Sequence, residues 1–293
     1  NKGANDLFGF FIFASILILF NERSKGLKKI VIFFMNIILE KLKFGQFDVF
    51  PELVHAVSPR CFENDNGEIE EFYFQSNDKN GEDRDHINRF LKSIEIENRS
   101  LFLVNQVHGD KVFILDDPGI TFNEVKEISA DALLTQMPGK PIGIFTADCL
   151  PILIYDPRLK VIGAIHAGRM GSAQSIILKV VREMARVYGS RPAELVAGIG
   201  PAIGGCCYEV AEDCIQPFKE LFPDEKGLFR SGLSGNYYLD LVAVNKVEGE
   251  KAGLLPENIF SMNHCTCCST RNLFSYRREG KTGRILTTIM LRP

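Results

Sequence analysis

Beyond residue 100 the chain alternates short apolar runs with turn residues: 101–107, 141–146, 152–155 and 161–166 are each bounded by Gly, Pro or Asp. Runs of that length between turn formers predict buried β-strands. The period then changes. Ala173, Ile176, Ile177, Val180, Val181, Met184 and Tyr188 fall on one face of a 3.6-residue repeat, with Gln174, Lys179, Arg182 and Arg186 on the other. That predicts an amphipathic helix, capped by Ser172 and ended by Gly189. A strand at 195–199 follows, then the turn-rich stretch GIGPAIGGCCYEV, a helix over 240–252 ended by Gly253, and strands at 259–262 and 285–291. Interleaved strands and helices without a repeat predict one mixed-sheet, layered α/β (α+β) domain. The polar, acidic stretch 60–89 reads as a long surface loop or hairpin.

The start of the chain has a different texture. A charge-free apolar run of 14 residues (LFGFFIFASILILF, 7–20) and a second of ten (30–39) flank NERSKGLKK. Fourteen residues are short of the roughly 20 that a membrane-spanning helix needs. A signal peptide would need a positive leading segment and a small-residue cleavage site, and neither is visible. Met35 opens a segment that reads as an ordinary protein start. Residues 1–34 are therefore expected to be a hydrophobic extension outside the fold, with a membrane anchor or signal peptide as alternatives, and 35–293 to form the folded domain.

With 293 residues, 45% hydrophobic and 24% charged, the chain is long enough to bury a substantial core. A net charge of -3 offers no basic field, which disfavours nucleic acid and points to a small-molecule partner. The eight cysteines fall in runs rather than in a disulfide framework. That suggests a reducing, cytoplasmic setting with thiols free for metal or catalysis.

Five histidines are few enough to weigh singly. His108 in NQVHGD, Cys149 in TADCLP and His166 in IHAG each lie where an apolar run ends, so all three can converge on one rim of a sheet. Two imidazoles and a thiolate leave the fourth position of a tetrahedral zinc open, as catalytic zinc sites do. Spacing alone leaves two other readings standing: three unrelated structural residues, or Cys149 and His166 as a nucleophile and base. Cys265, Cys267 and Cys268 form a second run with Cys206 and Cys207 as a possible partner pair, and buried or idle thiols are the plainer reading. His55, His86 and His264 read as structural. The glycines at 198, 200, 204 and 205 lack the rest of a dinucleotide fingerprint. Arg277 and Arg278 could hold an anionic group, although paired arginines are usually solvated or salt-bridged, and the same two readings apply to Arg60.

NQVHG (105–109), SADALLT (129–135), TADCLPILIYD (146–156), HAG (166–168), GIGPAIGGCCYEV (198–210), LDL followed by Asn245, and FSYRREGKTGR (274–284) together resemble the YfiH-like family. This is also called the multicopper polyphenol oxidase or laccase-domain family, and it is associated with purine nucleoside phosphorylase and adenosine deaminase activity. The blocks keep the family's order across 35–293. The resemblance implies zinc on His108, Cys149 and His166, a layered fold with mixed sheets, and purine nucleosides and phosphate as substrates. Adenosine, inosine, guanosine and methylthioadenosine would be cleaved, with some adenosine deamination. Asp148, adjacent to Cys149, is the candidate for moving protons, or alternatively orients a ligand or caps a turn. A cysteine-dependent hydrolase or peptidoglycan-editing factor is the alternative, and phenol oxidation comes third because no His-x-His pair is present. One departure stands out: Arg169 and Met170 occupy the Trp and Arg positions of the family's HAGWRG, which bears on substrate preference rather than on metal binding.

Overall fold

Side-chain alternation along the longest strands decides how the layers stack. The computed structural model describes residues 40–74, 82–97, 99–233, 235–269 and 273–293. The hydrophobic extension expected at 1–34 lies outside the described residues. In chain order the strands are β1 (Leu53–Val57), β2 (Cys61–Glu63), β3 (Ile69–Glu71), β4 (Val112–Ile114), β5 (Ala132–Thr135), β6 (Ile142–Thr146), β7 (Leu150–Asp156), β8 (Val161–Ala167), β9 (Val196–Ile199), β10 (Glu209–Val210), β11 (Phe229–Ser231), β12 (Tyr237–Leu239), β13 (Ile259–Ser261) and β14 (Ile285–Leu291). The helices are α1 (Glu82–Ser93), α2 (Phe122–Lys126), α3 (Arg169–Ala173), α4 (Ile176–Tyr188), α5 (Glu212–Leu221), α6 (Leu241–Lys251) and α7 (Tyr276–Glu279).

A six-stranded mixed sheet runs β13-β9-β7-β8-β5-β4, and an antiparallel sheet runs β1-β14-β6. β7 and β8 are buried along their whole length, so each reads as a continuous apolar run rather than an alternating one. Ile152 and Ile154 of β7 with Val161 and Ile165 of β8 face Ile177, Val180 and Met184 of α4 and Val244 of α6. The intervening Leu153, Tyr155, Ile162 and Ala164 face Ile142, Ile144, Ile285 and Ile289 of the smaller sheet. On the far side of β14, Leu286 and Met290 pack against Phe90 and Leu91 of α1. The order of layers is helix, six-stranded sheet, three-stranded sheet, helix, which is the mixed α/β class expected. Among the described residues no helix is long and apolar enough to cross a membrane.

Three expectations change in detail. Among the described residues the run 101–107 forms no strand ladder: Phe102 bridges Ile142 of β6, and Asn105 bridges Ser129 ahead of β5. There Gln106 uses its side-chain amide on both backbone groups of Phe145, at 2.8 Å each, in place of a strand ladder. The helix expected after Ser172 is interrupted: α3 ends, Ser175 takes a left-handed φ of 59°, and α4 starts afresh. Ser172 does not cap it but lies buried, accepting a hydrogen bond from Asn245 of α6; Gly189 ends the helix as expected, with φ 76°. The polar stretch 60–89 holds the β2–β3 hairpin and the start of α1. Only a narrow face of α1 is apolar, so its sequence reads as loop.

Candidate metal centre

Strand direction places three donors on one rim. β4 runs parallel to β5, while β5 and β7 are both antiparallel to β8, so β4, β5 and β7 begin where β8 ends. His108 lies just ahead of β4, Cys149 immediately precedes β7, and His166 is the penultimate residue of β8. Their ligand atoms all lie within 4.8 Å of one another, and the two imidazoles meet edge to face with centroids 4.8 Å apart. His108 reaches the rim from a left-handed backbone, φ 60°, with Gly109 following. Gly168 keeps the space clear, because a Cβ there would stand 3.1 Å from the Cys149 sulfur and 3.3 Å from the His108 ring.

Asp131 organises this rim, and the sequence reading did not single it out. The residue precedes β5, opposite His166, whose N–H donates to the Asp131 carbonyl at 2.7 Å. Its fully buried carboxylate accepts from the backbone N–H of His108 at 2.9 Å and of Gly109 at 2.7 Å, and pairs with Nδ1 of His166 at 2.8 Å. A carboxylate on Nδ1 fixes the tautomer and leaves Nε2 to face the other donors, as is usual behind metal-binding histidines. Burial opposes ionisation of both partners at the centre. At Cys149 the imidazoles of His108 and His166 outweigh it and bring the thiol down to about 6. At His166 the hydrogen bonds to Asp131 and Cys149 outweigh it and carry the ring up to about 9. The rim thus favours a thiolate, the form in which cysteine binds metal.

The three donors open onto a cleft of ≈ 1350 Å³ whose walls include Asp148, Tyr208, Tyr276 and Arg277. Asp148, with φ 93°, has both carboxylate oxygens engaged: Oδ1 accepts from Thr266 Oγ1 at 2.5 Å and Oδ2 from the Arg277 N–H at 2.6 Å. Arg277 donates Nη1 to the Glu209 carbonyl at 2.9 Å and sits 5.3 Å from the centre of the Tyr208 ring. Arg60 is elsewhere. Its guanidinium bridges Glu71 and Glu279, at 2.8 Å each, over the Phe274 ring, and it does not line the cleft. Met170 is exposed, and Arg169 is half-buried with its charge felt at Tyr208; neither lines the cleft.

A family model described as multi-copper polyphenol oxidoreductase laccase matches residues 56–292. The chain belongs to this family. Among its curated relatives, a purine nucleoside phosphorylase of Deinococcus radiodurans is 37% identical over 189 residues, covering 64% of this chain and 69% of the relative. Adenosine deaminase RL5, from an unknown prokaryotic organism, is 33% identical over 195 residues, covering 64% and 74%. Among solved structures, Bacillus licheniformis YfiH superposes with a TM-score of 0.76 at 27% identity, over 87% of this chain and 97% of that one. YlmD from Geobacillus stearothermophilus gives 0.74 at 26% identity, over 83% and 93%. The expected YfiH-like resemblance and the mixed α/β class are thereby borne out. The family's description is that of a copper enzyme, and the chain brings together a group of residues that could hold a metal ion.

Proposed function

We propose that the chain is a zinc-dependent purine nucleoside phosphorylase acting on adenosine, inosine, guanosine or methylthioadenosine, with adenosine deamination as a second activity of the same site. Its relatives carry those two activities in their names, and the observation that carries the reading is the two-imidazole, one-thiolate set open to a large cleft. That donor set suits zinc better than magnesium or calcium, which prefer oxygen. When bound, zinc supplies a Lewis-acid centre with one position left for water or substrate.

The protein's own groups do the rest. Asp131 holds the His166 ring in the orientation that presents Nε2, and the same carboxylate pins the His108 loop. Tyr208 and Tyr276 offer aromatic surface for a planar base, and Arg277 places positive charge on the wall for phosphate. Phosphorolysis joins a phosphate oxygen to the anomeric carbon of ribose and breaks the bond to the purine nitrogen, which leaves with the electron pair and takes a proton. Asp148 acts as a positioning residue, tying the start of α7 and Thr266 to the edge of the cleft.

The cysteine-hydrolase reading draws on one observation, the low thiol of Cys149 between two histidines. Metal analysis combined with a nucleoside assay separates the two. Zinc at about one equivalent in the centre, with phosphate-dependent formation of ribose 1-phosphate, supports the phosphorylase. A metal-free protein that is active and is inactivated by alkylation of Cys149 rejects it. Zinc content unaffected by joint His108→Ala and Cys149→Ala substitution would show the centre to be elsewhere.

A further inference from the structure

A second cluster of donors lies outside the centre described above. β9 and β13 are parallel neighbours, and the turns that leave their ends stay together, with Ala202 bridging Cys265. The first turn carries Cys206 and Cys207, and the second carries Cys265 and Cys268. The four sulfurs all lie within 4.8 Å of one another, none is in a disulfide, and Cys206 and Cys268 are 3.6 Å apart. A tetrahedral zinc with Zn–S bonds of about 2.3 Å sets its sulfurs about 3.8 Å apart, so the cluster needs little contraction to close on one ion.

The backbone is arranged for an anionic sulfur. Cys265 and Cys268 form a C-x-x-C pair, the spacing that structural zinc sites use. The sulfur of Cys265 accepts a hydrogen bond from the Gly204 N–H at 3.2 Å, and the N–H groups of Cys268 and Cys267 also point at it. Gly204 keeps the cluster uncrowded, since a Cβ there would press against the Cys206 sulfur at 3.2 Å. Four sulfurs this close cannot all ionise unless a cation sits among them.

We propose that Cys206, Cys207, Cys265 and Cys268 form a second, closed metal site that binds one zinc ion through four thiolates. Binding releases the thiol protons to solvent and fills all four positions, so this ion is structural and takes no substrate. It staples the turn after β9 to the turn after β13. The second turn is also where Thr266 holds Asp148 and where the Arg278 guanidinium donates to the carbonyls of Thr266 and Cys267, at 2.9 and 3.1 Å. The ion would therefore brace one wall of the cleft from behind. The proposal is independent of the catalytic reading, because it uses none of its ligands.

The test reads the metal rather than the activity. Full-length protein carrying His108→Ala and Cys149→Ala, prepared anaerobically under reducing conditions, is expected to retain about one zinc per chain. X-ray absorption should show only sulfur neighbours, at about 2.3 Å. In otherwise unaltered protein, Cys265→Ser with Cys268→Ser should lower the zinc content by one equivalent per chain. Should any variant fail to fold, cadmium NMR of the unaltered, cadmium-loaded chain answers the same question through a separate tetrathiolate resonance. A metal-free His108→Ala, Cys149→Ala protein, nitrogen neighbours around its ion, or a Cys206–Cys268 disulfide in the anaerobic protein would overturn the proposal.

Discussion

Replacing Asp131 with Asn tests whether the rim is held by one buried carboxylate. The shape is kept, but one oxygen becomes an NH2 group facing N–H donors. If the remaining carbonyl stays on the His166 and His108 side, Gly109 at 2.7 Å and Val107 at 3.3 Å lose their acceptor. If it turns the other way, the His166 ring loses its anchor at 2.8 Å. A hydrogen bond to a charged group contributes about 1.5 to 3 kcal/mol, so one strong and one long bond suggest a stability loss of roughly 2 to 4 kcal/mol, against a total of about 5 to 15. The fold should survive. Metal affinity responds separately, since losing a partner behind a metal-bound histidine typically costs about 10- to 100-fold, or about 1.4 to 2.8 kcal/mol.

The assay is competition for zinc against a chromophoric chelator of known affinity, with thermal unfolding run alongside. The expected outcome is zinc affinity weakened at least tenfold at the His108-Cys149-His166 centre in a protein that still unfolds cooperatively. Adding Cys265→Ser with Cys268→Ser to both proteins compared removes the thiolate cluster from the measurement. Unchanged affinity in a folded Asp131→Asn protein would refute the idea that this carboxylate organises the centre.

Other substitutions separate binding, bracing and burial. Arg277→Ala should raise KM for phosphate about tenfold, the loss of roughly 1.4 kcal/mol from one charge-assisted contact, and leave zinc content alone. Arg60→Ala should lower Tm without moving that KM, because its guanidinium is spent on Glu71 and Glu279. Asp148→Asn should lower Tm and raise KM together; a hundredfold fall in kcat at unchanged Tm would instead make Asp148 a proton carrier. Glu248 of α6 is buried, with Oε2 lacking a hydrogen-bond partner among the described residues, and burial raises its carboxyl to about 7. An acid whose folded pKa lies above its unfolded value binds more protons when folded, so it costs stability as pH rises from about 4.5 through about 7. Glu248→Gln should therefore raise Tm at pH 8, with a ceiling on the order of 3 kcal/mol, and change little at pH 4.5; an equal effect at both pH values would remove titration as the cause.

What the sequence disclosed follows from how local each signal is. β7, β8 and β14 were legible because strands buried on both faces leave uninterrupted apolar runs, and α4 because its stripe repeats every 3.6 residues. Residues 101–107 look equally apolar, yet no stretch of text shows that Gln106 will occupy the Phe145 backbone and turn the chain out of the sheet. The three donors of the centre were nameable since each sits at the end of an apolar run, and ends of neighbouring strands share a rim. Asp131 was not, because its role arises from antiparallel pairing: Ala132 lies opposite Ile165, so the residue before β5 meets His166, 35 positions away. The same reasoning separates Arg60 from Arg277. Both are arginines in polar segments, but Glu279 arrives beside Arg60 from a distance of 219 residues, whereas Arg277 is carried to the cleft by its own backbone bond to Asp148. The cysteine cluster is the intermediate case. Its run at 265–268 and a possible partner pair at 206 and 207 are visible, but their convergence depends on β9 and β13 lying side by side, which only the topology supplies.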